Sequence, residues 1–459
     1  MKVKRLKKLL LALLIVLLLC GCTNTQVLPT PDFGKTQVLE NGLCILTKDF
    51  PGEDTLFFSV AVRAGACYEP EGLYGLSHLL EHVIGRGMIE DCMAELKESK
   101  EGLDCNAHTG IQEVTYYIRC HPEDYEKALN ILYENLANPD FSYLKMEKER
   151  WAMEAKNVSF NAAGAIIHEF EGTIFQDHPY GNNARGMDPG QTPFTELKAT
   201  EEVLRDFHSR FYTAERMVLV LCGKADPEKA KEVFRNVIKG SEKDTAFPIP
   251  KLTEKKEIVK TFMDRYTITV YPTLGTPITP TSTSEIAPSY AVIGWTGFSP
   301  EEIPAFQALG EILLSRLSEL RAEKGMIGVS SQMGFTPAQS AGVDYPGIPL
   351  FEVWLALDIG NPLPIKDLIL QAIGDSKGHI TEENLALSKF NLKASLLSAS
   401  QSPSAFALGL APNLLLPGCS SLDDLWKSYD RLTVADLEKA LSFLQDDYVF
   451  ILYKGASYH

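Results

Sequence analysis

GLSHLLEHVIG, residues 75–85, places two histidines four residues apart with a glutamate between them, in a chain of 459 residues that has only nine histidines. On a helix over residues 75–84, His78 and His82 lie one turn apart on one face and Glu81 projects beside them. Two imidazoles at that spacing can hold one zinc ion. Leu79 and Leu80 point elsewhere, toward a core. A catalytic zinc takes a third protein ligand and keeps its fourth position for water. That water loses a proton near neutral pH, and Glu81 stands where a general base would take it. The competing reading is an ordinary helix face whose histidines are solvated or satisfied within the core.

A third ligand is available downstream. In YLKMEKERWAMEAKNV, residues 143–158, Glu147 and Glu154 are seven apart with Arg150 and Trp151 between them. On a helix these share one stripe. Glu154 is the candidate ligand, and Glu147 is the candidate for orienting a ligand from behind it. An acidic, solvated helix face is the alternative.

The rest of the chain bounds the context. Apolar content of 45% and charged content of 23% belong to a soluble globular protein long enough for two or three domains. A net charge of −16 argues against a nucleic-acid partner. The N-terminus differs from the rest. Basic MKVKRLKK is followed by LLLALLIVLLLC, residues 9–20, too short for a membrane span and suited to a signal peptide. The run ends Leu19-Cys20-Gly21-Cys22, which resembles a bacterial lipobox. Residues 1–21 are therefore expected to be a lipoprotein signal peptide, with Cys22 lipidated and the protein held on a membrane outside the cytoplasm. Residues 22–33, with Pro29 and Pro31, are expected to form a stalk. A secretory peptide without lipid, or an uncleaved anchor, are the alternatives. Seven further cysteines with no CxxC pair argue for buried apolar thiols rather than a disulfide framework.

Residues 34–240 read as one α+β unit. VLENGLCILTKD and TLFFSVAVRAGA are strand-like, and the motif helix follows. A second helix is expected near MAELKESKEG, then a strand-like DCNAHTGIQEVTYYIRCH and a long helical pair. The unit closes with ATEEVLRDFHSRFYTAERMVLVLCG, a helix and then a buried strand. Residues 241–256, polar and carrying Pro248 and Pro250, are read as a linker. PTLGTPITPTSTSEIAPSY, residues 272–290, is read as a loop or insertion. Residues 257–459 form a second unit. It closes with LTVADLEKALSFLQDDYVFILYKG, an echo of the first unit's closing helix and strand.

HLLEH reverses the HExxH order, as in the inverzincins, and here the chain resembles the pitrilysin, insulysin and mitochondrial-processing-peptidase family. GLSHLLEHVIGRG is similar to that family's active-site helix and the glycine turn after it. DCNAHTGIQEVTYY is similar to its Asn-Ala-x-Thr strand, and EKERWAMEAKN to its second glutamate helix. HPYGNNARG and FYTAERMVLVLCG fit the later part of the family's first domain. The resemblance implies an α+β fold of two related α/β-sandwich domains facing each other across a cleft, the second without a metal motif. It implies a metalloendopeptidase with one Zn2+ per chain, bound by His78, His82 and Glu154, with Glu81 as base and Glu147 in support. Asn106 and Ala107 would lie on an exposed edge strand that binds extended peptides by β-augmentation.

One stretch departs from the family. Its second domain carries an arginine and, seven residues on, a tyrosine, both of which act on the substrate across the cleft. In LRAEKGMIGVSS, residues 320–331, Arg321 is present and is the expected catalytic arginine, but Gly328 stands at the tyrosine position. Gly85 and Met88 also replace an aromatic and a threonine usual after the zinc helix. A lost transition-state donor costs two to three orders of magnitude in rate, on the order of 10²–10³. Three readings follow: a self-sufficient peptidase, a zinc subunit whose homodimeric or heterodimeric partner supplies the missing residues, or a non-catalytic peptide- or metal-binding lipoprotein on the same fold.

Overall fold

A computed structural model describes residues 28–99, 102–159, 162–176, 178–182, 199–240, 251–262, 289–324, 329–334, 350–357, 362–415, 421–445 and 447–455. The expected signal peptide with Cys22, most of the expected linker, most of the proline-rich stretch and Gly328 lie outside these residues. Among the described residues no helix is long and apolar enough to cross a membrane.

The first half contains strands β1 (Lys35–Val38), β2 (Cys44–Lys48), β3 (Leu56–Val62), β4 (Asp104–Thr109), β5 (Val114–Cys120) and β6 (Met217–Cys222). Its helices are α1 (Leu76–Glu95), α2 (Tyr125–Ala137), α3 (Leu144–Ser159), α4 (Ala162–Phe175), α5 (Glu201–Phe211) and α6 (Pro227–Phe234). The second half contains β7 (Lys256–Phe262), β8 (Ser289–Thr296), β9 (Val329–Gly334), β10 (Leu350–Leu357) and β11 (Val449–Gly455). Its helices are α7 (Ile303–Glu323), α8 (Ile365–Asp375), α9 (Glu382–Ser400), α10 (Leu422–Arg431) and α11 (Val434–Phe443).

The two sheets repeat one topology. The first runs β1-β2-β6-β3-β5-β4 and the second β7-β11-β8-β10-β9. Removing β1 makes them match strand for strand. β2 pairs with β6 in parallel, as β7 does with β11, and every other neighbouring pair is antiparallel in both. The echo in the closing segments is thus the repeat itself, with α5 leading to β6 and α11 leading to β11. Both closing strands are central, and their apolar runs are those of strands covered on both faces. The expected pair of related α/β sandwiches is what the chain forms.

Each sheet packs its own helices on one face and borrows a cover for the other. α1, α2 and α5 pack with Ile45, Phe58, Val60, Tyr116, Ile118 and Leu219 of the first sheet. The opposite face meets the second half's segment 403–415, where Ser59 Oγ donates to the Ala407 carbonyl at 3.4 Å and the Phe50 and Phe406 rings lie 6.0 Å apart. Reciprocally, α7, α8 and α11 pack on one face of the second sheet. The first half's α4 packs on the other face, through Ile167, Phe170 and Ile174 against Val292, Trp354 and Ile451.

The motif helix is longer than the sequence suggested. A glycine turn and a second helix were expected after HLLEH, but α1 runs unbroken through Gly85, Gly87 and MAE to Glu95. The glycines serve packing. A side chain at Gly87 would collide with Asn135 Oδ1 of α2, and one at Gly85 would stand 3.5 Å from the Ala107 Cβ of β4. DCNAHTGIQEVTYYIRC, in turn, is a hairpin of β4 and β5, not one strand. Ser289 and Tyr290, at the end of the expected proline-rich loop, open β8. Cys44, Cys67, Cys92, Cys105, Cys120 and Cys222 are free thiols.

Candidate metal centre

α1 carries HLLEH at its start. Leu76, Leu79, Leu80, Val83 and Ile84 are fully buried in the first core, each contributing roughly 1.5–3 kcal/mol, and they fix the rotation of the helix. That rotation brings His78 and His82 to one side, their rings edge to face with centroids 4.6 Å apart. α3 lies against α1 and is anchored by Trp151, which is 1% exposed. Glu147, Trp151 and Glu154 are spaced four and three residues apart and share the face toward α1. Glu147 is buried, whereas Glu154 reaches in from the rim with its side chain 55% exposed.

The donor atoms converge. His78 Nε2 and His82 Nε2 are 3.1 Å apart, and Glu154 Oε2 lies 3.7 Å from the first and 3.4 Å from the second. Ligands about 2.0–2.2 Å from a shared tetrahedral zinc stand about 3.3–3.6 Å from one another, so these residues fit that ion. They are the one group of three such donors found together among the described residues. His82 Nδ1 lies 3.1 Å from Glu147 Oε2, and Glu147 Oε1 accepts from Arg150 Nη1 at 3.3 Å. A proton held on Nδ1 by Glu147 leaves Nε2 as the metal-facing lone pair. The local field favours a cation. Despite its burial, the His82 ring is pushed toward its charged form by Glu154, Glu81 and Glu147, and the bond to His82 lowers Glu154.

Glu81 is buried, with Oε2 3.7 Å from His78 Nε2. Thr109 Oγ1 of β4 donates to that same oxygen at 3.3 Å. Burial pushes the Glu81 carboxyl up to about 7, the charges of Glu154 and Glu147 push the same way, and His82 and Thr109 pull it down. A carboxyl poised near neutrality suits a general base. Thr109 was quoted in the NAHT strand but given no role. Its signal was the strand period of two, which puts it on the face of Ala107, toward α1.

β4 is the edge of the first sheet. Asn106 is exposed on it, and Ala107 faces α1 beside Gly85. Arg321 lies in the last turn of α7, half-buried, and burial lowers its pKa. Counted from the start of each helix, Ala305, Ala308 and Leu309 of α7 stand at the third, sixth and seventh positions, as His78, Glu81 and His82 do in α1. All three are buried in the second core.

The chain is similar to known proteins in sequence and in fold. The model of insulinase, peptidase family M16, matches residues 44–187, and that of the peptidase M16 inactive domain matches residues 198–392. An uncharacterized zinc protease of Rickettsia felis is 28% identical over 218 residues, 46% of this chain and 52% of that protein. The mitochondrial-processing peptidase subunit beta of Saccharomyces cerevisiae is 24% identical over 421 residues, 88% of this chain and 87% of that one. The chain thus spans about half the length of the first curated relatives it matches, and most of others. Among solved structures, a protease from Helicobacter pylori superposes with a TM-score of 0.71 at 18% identity, covering 93% of this chain and all of that one. A chain of Complex III2 from Candida albicans superposes with a TM-score of 0.68 at 14% identity, covering 92% of this chain and 95% of that one.

Proposed function

The chain belongs to the insulinase family, peptidase family M16, and from that premise we propose that it is a zinc-dependent endopeptidase acting on extended peptides. The observation that carries this reading is the convergence of His78, His82 and Glu154 with a buried carboxylate, Glu81, beside them. Zinc held by these three residues would polarise the scissile carbonyl and lower the pKa of a water. Glu81 takes the proton of the attacking water and delivers it to the leaving amine. Thr109 occupies one Glu81 oxygen and leaves the other for that proton. Glu147 holds His82 by Nδ1.

The substrate strand pairs with the free edge of β4 at Asn106 and Ala107, with main-chain bonds giving affinity and alternate side chains giving preference. Folded proteins are poor substrates, because their backbones are already paired. Arg321 is assigned to the substrate from across the cleft. Gly328 in place of a tyrosine favours a second reading, in which this chain is the zinc subunit of a homodimer or heterodimer and its partner supplies the tyrosine. The relative called a subunit of mitochondrial-processing peptidase supports that possibility by its name. A third reading is peptide or metal binding without turnover. The N-terminal sequence supports a lipid anchor at Cys22 and a place outside the cytoplasm.

The test is cleavage of a mixed peptide pool by purified residues 23–459 loaded with zinc, read by mass spectrometry, with Glu81→Gln as control. Cleavage lost in the control supports the peptidase. Stoichiometric zinc with no cleavage rejects a self-sufficient enzyme and directs the search to a partner chain.

A further inference from the structure

The start of α1 lacks the residue that would ordinarily terminate it. A helix leaves its first amides without partners, and Ser, Thr, Asp or Asn at the N-cap usually accepts from them. Here the N-cap is Gly75, in the left-handed region at φ 92°, with no side chain to offer. No acidic residue lies in the first turn. Gly75, Leu76, Ser77 and His78 are buried, away from bulk solvent.

Glu69 does the work from six residues upstream. Its Oε2 accepts from the Gly75 amide at 2.7 Å and its Oε1 from the Ser77 amide at 2.8 Å. The side chain is buried, and the residue is fixed by its own amide, which donates to the Ala66 carbonyl at 3.1 Å. Burial pushes the carboxyl up to about 8, and the two amide bonds pull against it. Both bonds are short and each uses a separate oxygen, so both oxygens of the carboxyl are needed to hold the turn.

What is fixed there matters because of what comes next. His78 is the third residue of α1, directly after the amide held by Glu69 Oε1. His82 lies a turn further on and has its own brace in Glu147. Resting on the reading of His78 as a metal ligand, we propose that Glu69 is a positioning residue of the metal centre. It sets the first turn of α1 through two backbone amides, and so sets where His78 points. Glu147 thus holds the ring of His82, and Glu69 holds the backbone turn that carries His78.

The experiment is a zinc competition titration against a chromophoric chelator, using the full protein and Glu69→Gln. A glutamine offers one accepting oxygen, so it can hold only one of the two amides. Zinc affinity is expected to fall on the order of tenfold, the scale seen when a ligand's supporting partner is removed. kcat should fall with it while KM is unchanged, because β4 is untouched. Glu69→Asp, which keeps a carboxylate on a shorter arm, is the second variant and the one used if Glu69→Gln does not fold. It should bind zinc with an affinity below the parent's and above that of any folded Glu69→Gln. Parental affinity in a folded variant overturns the proposal and leaves the metal reading standing. No zinc binding by the parent overturns both.

Discussion

Glu81 and its neighbours are separable by what each substitution leaves behind. Glu81→Gln removes the base and no metal donor, so zinc stoichiometry should hold while kcat drops by about 10²–10⁴. Loss of zinc in that variant, measured by atomic emission, would make Glu81 a ligand and invert the roles. Thr109→Val tests a finer point. The Thr109 hydroxyl stabilises the charged carboxylate, so its loss raises the pKa of the base. The acidic limb of the kcat/KM–pH profile should move to higher pH, with the limb unmoved if Thr109 does not touch the reacting carboxylate. The histidine and glutamate spacing was legible because a helical period of 3.6 makes three and four residues neighbours. Thr109 was harder to read, because its partner lies on another element and strand pairing has to be known first.

At the scale of elements, the hairpin of β4 and β5 carries a cost of its own. Glu113, just before β5, is 5% exposed, and burial pushes its carboxyl up to about 7. The folded state thus keeps a proton that the unfolded chain releases near pH 4.5. Stability from this group is complete below that value, declines as the pH rises toward about 7, and is level beyond it, a change of roughly 3 kcal/mol. Glu113→Gln should flatten this slope in urea denaturation between about pH 4.5 and about pH 7. An unchanged slope would place the titration elsewhere. The turn within this hairpin escaped the sequence reading because Thr109 and Ile111 flank Gly110 and the β-branched and aromatic run Val114–Tyr117 follows, which kept the pattern strand-like. The run of α1 through Gly85 and Gly87 escaped it for a related reason. Glycine is a poor helix former by about 1 kcal/mol, and only the close approach of α2 makes Gly87 necessary.

At the scale of the molecule, the exchange of covers between the halves decides how the protein unfolds. α4 leaves the first half to cover the second sheet, and 403–415 leaves the second half to cover the first. Neither sheet is covered on both faces by its own half, so neither half should melt alone. Gly294→Ala strikes one cover, since a methyl group there would overlap the Phe170 ring of α4. Phe406→Ala strikes the other, emptying a fully buried site that faces Phe50, at a cost of about 3–5 kcal/mol. Calorimetry should show one transition in the parent and one, at lower temperature, in each variant. The metal centre lies wholly in the first half, yet zinc should raise that single transition for the whole chain, by about 4 kcal/mol at a thousandfold excess over Kd. A chelator should reverse the shift. Two resolved transitions, with zinc moving only one, would mean the borrowed covers do not bind the halves into a cooperative unit. The repeat behind this coupling showed in the sequence only as matching ends, α5 with β6 and α11 with β11. The metal motif offered no second end to match: at the same count from its start, α7 carries the core residues Ala305, Ala308 and Leu309.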